Sequence, residues 1–324
     1  MTKKIKAGVL EVAYEESGSA DGTPVMLLHG FPYDVHAYDE VAAILARQGC
    51  RVIVPYLRGY GPTRLLSPKT PRSGQQAVLA HDLVDLMDAL GVKRALLGGF
   101  DWGGRSCCIV AALWPERVLG VVLGGGYTIQ DIAASAKPIP PERELLWWYQ
   151  YYMHGERGRA GVEKYRYELG KLLWRMWSPN WKFDEATYAL TARSFDNPDF
   201  VDVVVHSYRH RFGLAPGDPA LEDTERRLAS RPKIGVPAIV RIGRRRGDVH
   251  RALRAPRHPD RRPQPAAGSA GRIRGRDPPA EIGVRALIHQ AGVRVPCHSP
   301  PIRRSEGEAV QRQRSSQSSS FCVA

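Results

Sequence analysis

The chain has 324 residues, 43% of them hydrophobic and 25% charged, with a formal net charge of +14. That length allows one large core or two small ones, and the composition excludes wholesale disorder and a coiled coil. The charge is uneven: residues 241–324 hold 18 Arg, no Lys and 6 Asp+Glu, whereas the first 240 carry 29 basic and 27 acidic groups and 26 of the 27 aromatic residues. The first part can build a core, while the Arg/Pro/Gly/Ser-rich second part has almost nothing large to bury. No apolar run approaches the roughly 18 residues of a membrane helix. The N-terminus carries no signal-peptide pattern. Five cysteines (Cys50, Cys107, Cys108, Cys297, Cys322) lack metal-ligand or disulfide-framework spacing. A reduced cytoplasmic protein without metal or other cofactor is expected.

Gly8–Tyr14 alternates like a strand, and Pro24–Leu28 is a short apolar run that ends at His29-Gly30. Tyr38, Val41, Ala42, Leu45 and Ala46 recur at helical spacing and Gly49 closes that helix. A strand over Arg51–Val54, a helix over Ala77–Leu90, a strand over Ala95–Leu97, a helix over Arg105–Leu113 and a strand over Val118–Leu123 follow. Strands alternating with helices at this spacing predict a parallel sheet with crossover helices. Residues 128–230 break the rhythm with helical, aromatic sequence that includes Trp147, Trp148, Tyr149, Trp174 and Tyr208. Val236–Val240 then reads as one more buried strand. The expected organisation is a core over 1–127, a helical cap over 128–230, a core strand within 231–240 and an aberrant tail over 241–324.

The segment with chemical content is Leu96-Leu97-Gly98-Gly99-Phe100-Asp101-Trp102-Gly103-Gly104-Arg105. Gly99 and Gly103 bracket Asp101 in the spacing of a nucleophile elbow, where residues without Cβ let a strand and a helix approach and lift the central side chain. The helix N-terminus favours the ionised carboxylate, although Asp is also an ordinary helix cap. Upstream, His29-Gly30-Phe31-Pro32 follows the Val25–Leu28 strand where an elbow enzyme carries its oxyanion loop. The backbone N–H groups of Phe31 and Trp102 are expected to converge on one oxygen. His29, Gly30 and Pro32 support that loop, as Gly99 and Gly103 support the elbow, and His29 is expected to be structural.

Over residues 1–240 these motifs, with Arg58-Gly59-Tyr60-Gly61, resemble the α/β-hydrolase superfamily in its epoxide-hydrolase and haloalkane-dehalogenase branch. The resemblance implies an α/β-hydrolase fold, mostly parallel with helices on both faces, and a small epoxide or related electrophile as substrate. It implies Asp101 as nucleophile and, from Tyr149-Gln150 and Tyr208-Arg209, Tyr149 and Tyr208 as donors to the epoxide oxygen. The residue types suit that chemistry. An aspartate is ionised at neutral pH and can attack an sp³ carbon to give an ester, and a phenol protonates the departing alkoxide better than water does.

The same resemblance calls for a second carboxylate just after Val240 and a later histidine as general base, and neither is identifiable. Asp248 lies in an arginine run, and His250, His258, His289 and His298 lack the expected setting. A shift of reading frame after codon 240 is one account, because codons can be chosen so that a one-base offset yields Gly-Ser-Asp-Ala-Asp-Gly-Val-Met and then Gly-His-Asn-Leu-Pro-Gln-Glu-Ala. On this reading the tail is disordered, the sheet edge beside the last strand is uncovered, and the first half of the reaction outlives the second. Three alternatives stand beside it: a haloalkane dehalogenase, a non-catalytic binding protein on the same fold, and a nucleic-acid binder using the arginine tail. The last is disfavoured because the tail lacks interleaved aromatics.

Overall fold

The computed structural model describes residues 1–241, so the expectations for the tail lie outside the described residues. In chain order the core contains strands β1 (Lys3–Ala7), β2 (Leu10–Gly18) and β3 (Pro24–Leu28), helix α1 (Asp39–Arg47), strands β4 (Arg51–Pro55) and β5 (Arg64–Leu65), helix α2 (Gln76–Ala89), strand β6 (Ala95–Phe100), helix α3 (Asp101–Leu113) and strand β7 (Val118–Gly124). The helical insertion runs through α4 (Pro141–Glu144), α5 (Trp148–Tyr152), α6 (Glu156–Trp177), α7 (Glu185–Ala192), α8 (Phe200–His210) and α9 (Glu222–Ala229), and β8 (Ala238–Arg241) returns to the sheet. Strand order is β1-β2-β4-β3-β6-β7-β8, with β5 paired to β2.

From β4 to β8 the neighbours are parallel, and β1, β2 and β5 add antiparallel pairings at one end. The central strands β3 and β6 are nearly continuous apolar runs, as parallel strands covered on both faces require. Helices α2 and α3 pack on that sheet through Leu79, Leu83, Leu86 and Ile109, all at most 2% exposed. Each such leucine or isoleucine contributes about 1.5–3 kcal/mol through burial.

Three expectations change. The strand expected at Gly8–Tyr14 is the β1–β2 hairpin: Gly8 has φ of 54°, and a Cβ there would stand 2.0 Å from the Asp85 carboxylate. Helix α3 begins at Asp101 rather than Arg105, because Gly103 and Gly104 conceal its first turn from propensity reasoning. The last strand, expected to be buried, leaves Val240 47% exposed, since β7 is its only strand neighbour among the described residues.

The insertion is fastened to the core by polar contacts as well as by rings. Asp34 is fully buried and accepts from Thr191 Oγ1 at 2.8 Å and Ser194 Oγ at 2.6 Å. Trp174 Nε1 donates to the carbonyl of Pro32 at 2.9 Å while its ring stacks on Tyr33. Glu225 reaches from α9 to the start of α2, where it accepts from the Ala77 N–H at 3.0 Å and satisfies a donor that the helix leaves free.

Candidate active site

The turn from β6 into α3 places Asp101 at φ of 50°, one of two non-glycine residues with positive φ among the described residues. Asp tolerates that region better than most residues, but holding it there has a cost, and such strain is characteristic of functional sites. The surrounding glycines make the geometry possible. A Cβ on Gly99 would lie 2.6 Å from the Gly103 backbone, one on Gly103 2.1 Å from the Leu28 carbonyl, and one on Gly30 2.4 Å from the Asp101 Cβ. Strand, loop and helix therefore touch backbone to backbone. The Gly103 N–H donates to the His29 carbonyl at 2.8 Å and closes this contact.

The loop over residues 29–32 meets the turn between β6 and α3 directly. The Phe31 N–H donates to Asp101 Oδ1 at 2.9 Å, and the Phe31–Pro32 peptide bond is cis. Trp102 is the second residue of α3, so its N–H belongs to the first turn, whose donors have no partner inside the helix. His29 is fully buried beneath the loop: its Nδ1 bonds the Gly30 carbonyl at 3.3 Å and its Nε2 accepts the Leu57 N–H at 3.1 Å. Burial pushes its pKa down to about 4, so it is a neutral brace at physiological pH.

Tyr149 on α5 and Tyr208 on α8 come together over the loop, with ring centroids 5.4 Å apart. The Phe31 ring lies 6.2 Å from Tyr149 and 5.5 Å from Tyr208, and Trp102 is 6.0 Å from Tyr208. Burial, and then the charge of Asp101, push the Tyr149 pKa up to about 12; Tyr208 is raised well above the ordinary phenol value, chiefly by burial. Both hydroxyls are protonated at neutral pH. Tyr149 accepts from Gln150 Nε2 at 3.1 Å, whereas the Tyr208 hydroxyl is buried without a hydrogen-bond partner. Asp101 remains partly exposed among these rings. An open hollow of about 630 Å³ lies elsewhere, lined by Leu123, Tyr127, Pro232, Ile234, Ala238 and Val240.

The structure thus brings Phe31, Asp101, Trp102, Tyr149 and Tyr208 into one cluster, with His29, Gly30, Pro32, Gly99 and Gly103 supporting it. Among the described residues no histidine hydrogen-bonds Asp101: His36 is held by Asp34, His81 by Thr224, and His206 bridges the Gly74 N–H and the Pro216 carbonyl. The general base and its acid stay unassigned, and Asp248 with the four later histidines lies outside the described residues.

Sequence reasoning passed over three polar groups here. Asp82 clamps Arg58 through two bonds of 2.6 and 2.7 Å, and Arg58 also donates to the Ser73 carbonyl, fixing the turn that carries Tyr60. Arg105, four residues after Asp101 in α3, shares its helical face. Arg211 follows Tyr208 by three residues, a spacing that was visible, and its guanidinium carbon stands 4.9 Å from the Tyr208 ring centroid.

Comparisons with known proteins place the chain in a family. A family model described as alpha/beta hydrolase fold matches residues 23–203. Epoxide hydrolase 3 of Siraitia grosvenorii is 37% identical over 101 residues, 31% of this chain and 31% of the relative. Bifunctional epoxide hydrolase 2 of Sus scrofa is 35% identical over 117 residues, 36% of this chain and 20% of the relative. The chain therefore matches about a third or less of the length of these curated relatives. The crystal structure of a candidate epoxide hydrolase from Klebsiella pneumoniae is similar with a TM-score of 0.73 and 50% identity, covering 74% of this chain and 79% of that one.

Proposed function

The chain belongs to the α/β-hydrolase fold family, and from that premise we propose that it opens a small epoxide through an ester on Asp101. The observation that carries the reading is the Phe31 N–H bonded to Asp101 Oδ1 beneath two protonated tyrosines. Oδ1 is held in the position of an ester carbonyl, and the other carboxylate oxygen is the one left to attack. Its electron pair forms the new C–O bond while the ring C–O bond breaks. The departing oxygen takes the hydroxyl proton of Tyr149 or Tyr208, leaving a β-hydroxy ester and a tyrosinate that water reprotonates. A phenol is ordinarily a stronger acid than the alcohol it creates, which suits it to protonate the departing oxygen.

The second half, attack of water on the ester carbonyl, uses the Phe31 and Trp102 amides for the developing oxyanion. It also requires a general base, which no described residue supplies. The expected behaviour of this chain is a single alkylation of Asp101 and a persistent ester. Intact-mass spectrometry after incubation with an aryl epoxide tests this: one stable adduct, mapped to Asp101, is expected. Steady diol formation overturns the stalled-ester reading, and the absence of any adduct overturns the nucleophile. The tail is read as a frame-shifted form of the usual C-terminal part. Sequencing the coding DNA tests that, and a frame-restored protein should release diol repeatedly.

A dehalogenase reading has one observation in its favour, the buried Trp102 indole N–H, which has no hydrogen-bond partner and can donate to a halide. Halide release from a haloalkane, with no adduct from an epoxide, would favour it.

A further inference from the structure

Two arginines, Arg105 on the helix that Asp101 opens and Arg211 against the Tyr208 ring, are buried without an ion-pair partner. Arg105 is 8% exposed and Arg211 6%, and among the described residues no Asp or Glu lies within ion-pair distance of either. Arg58 shows the contrast: it is buried as deeply and fully paired with Asp82. Burying a guanidinium unpaired is costly, and a fold that accepts the cost twice in one place has reserved those charges for something else.

Their remaining contacts orient them and leave donors free. Arg105 Nε donates to the Thr128 carbonyl at 3.1 Å. Arg211 Nη1 donates to Gln150 Oε1 at 3.3 Å, whereas its Nε and Nη2 are buried with no hydrogen-bond partner. Gln150 in turn donates to the Tyr149 hydroxyl, so Arg211 is one amide away from the proposed proton donor. On α3, Arg105 sits one turn beyond Asp101, roughly 6 Å along the axis. The two cations repel one another: burial and then Arg211 push the Arg105 pKa down to about 9, with Asp101 opposing the shift.

We propose that Arg105 and Arg211 bind a carboxylate carried by the substrate on or next to its epoxide ring, a substrate class that refines the ring-opening reading above and rests on it. Charge balance argues the same way. Asp101 must stay ionised to attack, and an anionic substrate approaching it is repelled. Two guanidiniums offset one nucleophile and one substrate carboxylate, leaving the loaded site neutral. The planar fork of Arg211, with two free donors, suits a carboxylate.

The test compares 3-phenylglycidate with its methyl ester on the full chain, following alkylation of Asp101 by mass spectrometry. Wild type should react with the acid at least tenfold faster than with the ester. In Arg211→Gln and Arg105→Gln that ratio should collapse toward one, and Arg211→Lys, which keeps the charge but not the fork, should restore it in part. Cinnamate, a non-reactive planar acid, should raise the unfolding temperature of wild type and of Asp101→Asn, and cinnamamide should not. A ratio near or below one in wild type, or one the arginine variants leave intact, overturns the proposal while adduct formation still upholds the nucleophile. If neither epoxide alkylates but cinnamate binds through the arginines, ring opening fails and a carboxylate-binding site remains. If cinnamate does not bind either, both are overturned.

Discussion

Gly30 lies so close to Asp101 that a Cβ on the glycine would stand 2.4 Å from the Asp101 Cβ and 2.6 Å from Oδ1. The approach leaves no room for a methyl group, and it is what brings the next amide, that of Phe31, onto the carboxylate. Gly30→Ala must therefore push the loop and the elbow apart. We expect destabilisation of about 1–3 kcal/mol, as overpacked sites show. We also expect at least a tenfold fall in the rate of Asp101 alkylation, read from a time course of intact mass.

Asp101→Asn separates chemistry from fold. Asn enters the left-handed region as readily as Asp, so the strained turn keeps a compatible residue. The amide is not a nucleophile, so alkylation should be abolished while the urea midpoint changes little. A large loss of stability would show that the carboxylate, and not the backbone, holds the elbow.

Asp82→Ala leaves Arg58 buried and unpaired, with its side chain 1% exposed. Removing one partner of a buried ion pair costs about 3–5 kcal/mol, and the partial exposure of Asp82 argues for the lower end. Chemical denaturation of the variant should show that loss.

The Asp34–His36 pair gives stability a pH dependence of known sign. Its hydrogen bond to Asp34 holds the His36 pKa above the ordinary imidazole value, against burial. That contribution is complete below the unfolded pKa of about 6.5 and is lost as pH rises through the raised folded value. Asp34 is held below the ordinary carboxylate value by His36 and Ser194, although burial, the largest influence, acts the other way. Its contribution is present above about pH 4 and fades as acid protonates it in the folded state. The stability gap between wild type and His36→Ala should thus be wider at pH 6 than at pH 9 in urea titrations.

The elbow and its loop were legible in the sequence because their chemistry depends on neighbours in the chain: Gly99, Asp101 and Gly103 fix a turn, and His29-Gly30-Phe31-Pro32 follows a strand. The parallel strands were legible because burial on both faces makes them apolar throughout. Strand β1 was not, since only Ile5 and Ala7 turn inward among its lysines. Asp34 looked like any loop aspartate, because Thr191 and Ser194 lie 157 and 160 residues away. The sequence marks a carboxylate's type but not which distant hydroxyl will meet it. Arg211 was hidden by its neighbour, the Tyr208-Arg209 dipeptide, although Arg209 faces the Met153 carbonyl and Glu156 instead.

Phe31, Pro32 and Asp34 belong to one short loop, and the helical insertion grips two of them, through Trp174 at Pro32 and through Thr191 and Ser194 at Asp34. The third holds Asp101 Oδ1. Any displacement of the insertion is therefore passed to the same few residues that hold the Asp101 carboxylate.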